Sequence, residues 1–71
     1  MSIYEARFEA AKRDANREAV LLALLQEKQE ESEDVAKTKE NIINFLAEIY
    51  VEQRQPELIK KILLEYRRSP N

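Results

Sequence analysis

Apolar residues recur along the first third of the chain at helical spacing: Tyr4, Phe8, Ala11, Ala15, Leu22 and Leu25 fall on one line at about 3.6 residues per turn. Val20 and Leu24 lie to one side of that line and Leu21 to the other, so the stretch Ala19–Leu25, AVLLALL, is apolar nearly all round. A helix of that kind is covered on every side, by its own chain or by another. The pattern predicts a first helix over residues 2–29. Its start is marked by Ser2-Ile3-Tyr4-Glu5, a capping-box sequence with Ser2 as N-cap.

The polar run QEKQEESED after Leu25 predicts a turn within residues 29–33, with Ser32 as the next N-cap and Glu33 and Asp34 placed against the helix dipole. The second helix then spans 33–54. Ile42, Leu46 and Ile49 form one apolar line on it and Ile43, Ala47 and Tyr50 the neighbouring one, while Val51 falls toward the back. Arg54-Gln55-Pro56 is a boundary, because proline cannot continue a helix yet suits the first position of the next. A third helix over 56–68 follows, with Leu58, Ile59, Ile62, Leu63 and Tyr66 inward, Leu64 off the stripe, and Ser69-Pro70-Asn71 as its stop.

The chain thus reads as an all-α, small three-helix protein, one helical domain over residues 1–71: a long first helix, then an αα-hairpin of the second and third. The alternative is a long helical hairpin or coiled coil in which the first two helices are continuous, since neither Gly nor Pro forces the break. Glu18, Gln29, Ser32 and Lys39 would interrupt the seam of that arrangement.

Composition narrows the chemistry. With no cysteine there are no disulfides or thiolate metal sites, and with no histidine the commonest metal ligand and general base are missing. With no glycine, the phosphate-binding loops of nucleotide enzymes cannot form. The hydroxyls of Ser2, Ser32, Ser69, Thr38 and the tyrosines have no histidine to activate them, so an enzyme is not expected, nor a cofactor or small-molecule substrate. The acidic group Glu27, Glu30, Glu31, Glu33 and Asp34 lacks the alternating ligands and central glycine of an EF-hand and reads as a solvated helix end, so no metal is expected. The apolar run is too short to span a membrane and no leader pattern is visible, which predicts a cytoplasmic protein.

A chain of 71 residues buries only about 60% of its unfolded surface, so small scaffolds lean on a disulfide, a metal or a partner. Only the partner remains. The sequence therefore predicts a protein–protein interaction module, a small adaptor, regulatory or chaperone-like subunit, acting as a homodimer or bound to a partner's helix. Val20, Leu21, Leu24, Phe45 and Leu64 are its expected contacts. The alternative is a small nucleic-acid-associated regulator: Arg54, Lys60, Lys61, Arg67 and Arg68 make the C-terminal end locally cationic and could meet phosphates or an acidic partner. The net charge of −2 gives that alternative no global support. Leu46-Ala47, Tyr50, Ile59 and Leu63 loosely resemble the helix pair of tetratricopeptide-type repeats. Only one pair is present and the signature Trp and Gly are absent, so no family function follows.

Overall fold

The chain is all-helical in a computed structural model, which describes residues 2–30 and 32–66. Among them are four helices: α1 (Ile3–Lys12), α2 (Arg17–Gln26), α3 (Glu33–Glu52) and α4 (Pro56–Tyr66). The expected three-helix arrangement is corrected at one place. The single helix over 2–29 is two helices, reversed on each other at Arg13–Asn16. The predicted stop at Ser69-Pro70-Asn71 and the stretch 67–68 of the third helix lie outside the described residues.

The reversal has a local and a tertiary cause. Locally, the Asp14 carboxylate accepts a hydrogen bond from the Asn16 backbone N–H at 2.8 Å, the Asx turn in which an aspartate imitates a backbone turn. The Arg13 and Asp14 N–H groups donate to Ala10 and Ala11, three residues back, which tightens the last turn of α1. The tertiary cause is one of phase. The buried residues of α1 are Tyr4, Phe8 and Ala11, and those of α2 are Leu21, Leu24 and Leu25. On one continuous helix the mean directions of these two sets would differ by roughly 110°. No single neighbour could cover both. Folding α1 back turns both sets inward.

Contacts twenty residues apart in sequence seal this first hairpin; on a straight helix they would be about 30 Å apart. The Tyr4 hydroxyl donates to the Leu24 carbonyl at 2.9 Å, satisfying one of the carbonyls that the end of α2 leaves without a helical partner. Arg7 forms a forked hydrogen-bonded ion pair with Glu27. Phe8 meets Phe45 of α3 edge to face, with ring centres 6.4 Å apart, and the Lys12 ammonium lies 4.7 Å from the Phe8 ring centre.

α3 packs against all three other helices. Ser32 caps it as the sequence implies, accepting from the Val35 N–H at 3.1 Å, and Ser2 caps α1 through the Glu5 N–H at the same distance. The buried side chains of α3 include Ile42, Ile43, Leu46, Ile49 and Tyr50, the two lines read from the sequence except Ala47, which is half-buried. The turn into α4 closes through a Schellman pair: Gln55 N–H donates to Tyr50 C=O at 2.9 Å and Arg54 N–H to Val51 C=O at 3.0 Å. That geometry needs a left-handed residue, and Arg54 takes it with φ 57° where glycine is usual.

Two predictions follow from these closures. Tyr4→Phe removes one buried hydrogen bond and lowers stability by about 1 kcal/mol in urea titration. Burial, with help from Glu27, raises the Tyr4 phenol above its ordinary 10.0 in the folded protein, and Arg7 opposes this. A raised folded value stabilises below the unfolded pKa and is lost as pH climbs through the folded one. The variant's stability therefore declines less steeply above pH 10.0 than the parent's. Arg54→Gly relieves the left-handed strain and raises stability by about 0.5–1 kcal/mol, part of the gain being offset by glycine's freedom when unfolded.

Candidate functional site

The expected contact residues part company in the folded chain. Leu21 is fully buried and Leu24 is 3% exposed, both within the core. Their expectation as partner contacts is corrected: α1 and α3 supply the cover that the sequence assigned to a second chain. Val20 is half-buried, lining a shallow groove between α1 and α2 with Ala10 and Ala23. Phe45 is half-buried and engaged by Phe8. Leu64 is open to solvent at 77% exposure.

The uncovered apolar surface lies instead on the second hairpin. Ile62 is the buried residue of α4, whereas Leu58, Ile59, Leu63 and Tyr66 are only half-covered. One flank of α4 faces α2 across a groove of about 290 Å³, with Leu58, Lys61 and Glu65 on one wall and Glu18, Leu22 and Gln26 on the other. Helical spacing turns Ile59 and Leu63 to the opposite flank. On α3, Val51 lies about half a turn from the buried line of Ile42, Leu46 and Ile49, and it is 63% exposed. Ala47 beside it is half-buried. Ala47, Val51, Ile59 and Leu63 thus make an apolar seam on the face of the α3–α4 hairpin turned away from α1 and α2. This face is called the back face below; Leu64 lies about 100° round α4 from Leu63, beyond Lys60.

Val51 and Leu64 were legible as off-stripe positions, but the seam that joins Val51 to Ile59 and Leu63 was not. Those two residues count as inward in the sequence, and a stripe read along one helix does not say how much of it a single neighbour covers.

The cationic residues do not converge. Arg54 sits in the turn, Lys61 on the flank facing α2, and Lys60 about 100° round the helix from it, toward the back face. Arg67 and Arg68 lie outside the described residues. The acidic stretch is dispersed too: Glu27 is held by Arg7, whose hydrogen bonds keep its carboxyl below the usual carboxylate value. Among the described residues no three carboxylates gather where a metal ion could sit. A cleft of about 640 Å³ beside the start of α3 has Glu30, Glu33 and Lys39 around Val35, Ile43 and Tyr66. Burial, with Glu18 and Tyr66 nearby, pushes the Tyr50 phenol above its ordinary value. No helix among the described residues is long and apolar enough to cross a membrane.

No family model, curated protein or solved structure matches this chain.

The split between buried and open leucines is measurable. Leu21→Ala opens a cavity in the core and costs about 3 kcal/mol, a large share of the total for a domain this small. Leu64→Ser changes stability by no more than about 0.5 kcal/mol. Equal effects of the two in chemical denaturation would contradict the placement of α2.

Proposed function

We propose that the protein is a non-catalytic protein–protein interaction module, an adaptor or regulatory subunit, working through the back face of the α3–α4 hairpin. The observation that carries this reading is the apolar seam. Val51 stands 63% exposed beside half-covered Ile59 and Leu63, whereas most of the chain's other leucines and isoleucines join a shared core. Scattered apolar residues on a surface need no explanation, but a contiguous seam rimmed by charges marks a contact with another protein. The composition supports the same reading, with neither histidine nor cysteine for catalysis and no glycine for a phosphate loop. The nucleic-acid alternative gains nothing from the geometry, because Lys60 and Lys61 diverge.

The test is site-specific photo-cross-linking in the producing cell. A photoreactive phenylalanine analogue at Val51 should give discrete protein adducts. The same analogue at Ile3, 83% exposed on α1, should give none of comparable yield. Adding Leu63→Asp should abolish the Val51 adducts, since truncating a true anchor costs about 2 kcal/mol or more in association. Absence of discrete adducts from Val51, or equal yields from both positions, overturns the reading.

A further inference from the structure

Resting on that reading of the back face, we infer that its occupant is a second copy of the chain, related by a two-fold axis parallel to α3 and α4, with Lys60 of each copy paired to Glu48 of the other. The argument is one of charge and level. The seam is bordered by opposite charges on its two sides. The exposed edge of α3 carries Glu48 and Glu52, and the exposed edge of α4 nearest the seam carries Lys60. Neither Glu48 nor Lys60 joins an ion pair among the described residues, where the pairs are Arg7–Glu27 and Glu9–Lys12.

Two isologous pairings of such a face keep the helices of the two copies aligned. An axis lying across the helices would set α4 on α4 and α3 on α3, placing lysine near lysine and carboxylate near carboxylate. An axis along the helices sets α4 of each copy over α3 of the other and brings Lys60 of each toward Glu48 of the other.

The second arrangement also keeps the levels of the hairpin. α3 ends at Glu52 and α4 begins at Pro56. Glu48 is four residues before that end and Lys60 four residues after that start, so they stand at the same height on opposite sides of the seam. Rotation about an axis along the helices leaves height unchanged. Lys60 of one copy is therefore carried to the level of Glu48 of the other, and the reverse holds by symmetry. Between the two pairs, the Ala47, Val51, Ile59 and Leu63 seams of the copies close on each other. The small side chain of Ala47 leaves the room that close approach of helices requires.

The experiment is sedimentation equilibrium of the full chain from low micromolar to millimolar concentration. It compares the parent with Lys60→Glu, Glu48→Lys and the double variant, each first shown to be helical by circular dichroism. The parent self-associates as a dimer. Each single reversal replaces two attractions by two repulsions and weakens the dimer about tenfold. The double variant restores opposite charges in reversed sense and recovers to within about threefold of the parent. A parent that stays monomeric throughout, or a double variant no stronger than the single ones, overturns the inference. Cross-linking separates this failure from that of the underlying reading: Val51 adducts with a different protein and none with the chain itself would sink the second copy and leave the interface standing. No discrete adduct at all would sink both.

Discussion

The fold depends on the chain reversing at Arg13–Asn16. α2 carries Leu21, Leu24 and Leu25 on one side and Val20 and Leu22 beside them, too broad a surface for a single neighbouring helix. α3 covers part of it. The rest is covered only because α1 returns along α2, bringing Tyr4 and Phe8 over the leucines. Had the helix continued, α1 would have projected about 30 Å beyond its present contacts and left α2 half open. The Tyr4 bond to the Leu24 carbonyl and the Arg7–Glu27 pair act on the closed form alone. The tyrosine bond is the more consequential, being buried, whereas the ion pair sits in solvent and is screened by salt.

A chain with no glycine must make its turns from other residues, and each of its reversals shows a different substitute. Between α1 and α2 the Asp14 side chain takes the place of a backbone acceptor. Ahead of α3, Ser32 caps the first turn, its own backbone extended like that of Glu27 at the end of α2. Between α3 and α4 no side-chain device serves, and Arg54 accepts a left-handed backbone that costs about 1–2 kcal/mol for a residue bearing a Cβ. Pro56 helps there from the other side, because its fixed φ starts α4 at once and keeps the link short. The placing of Arg54 thus has a conformational account, and its charge is incidental to it.

Much of this was legible beforehand. The helical class, both serine caps, the boundary before Pro56 and the two buried lines of α3 follow from local rules that the structure obeys. The break within KRDANR was not legible from Gly or Pro, since neither is there. The line from Tyr4 through Ala15 to Leu22 is present in the sequence, but alanines contribute little burial, and the buried Leu21 and Leu24 lie off that line. Phase between Ala11 and Leu21 held the missing signal, together with the Asp14-Ala15-Asn16 triplet. The excess of apolar surface was also visible, but local density placed it on α2. Where such an excess ends up depends on which helices find neighbours, and that is a property of the packed arrangement.

Counting neighbours shows why the excess moves to the other hairpin. α3 is central and touches three helices, α1 and α2 touch each other and α3, and α4 has α3 as its packing partner. An amphipathic helix with an apolar stripe as wide as that from Leu58 through Ile62 to Leu63 is stable against one neighbour but leaves its margins open. One margin is narrowed by α2 across the groove at Leu22 and Tyr50. The other, at Ile59 and Leu63, packs against the core on its inner side and stays half-open on its outer side. Burying it requires a further helical layer, and no helix among the described residues lies on that side. The same inventory of side chains that closes the core around Leu21, Ile42 and Leu46 therefore leaves apolar surface open on the back face.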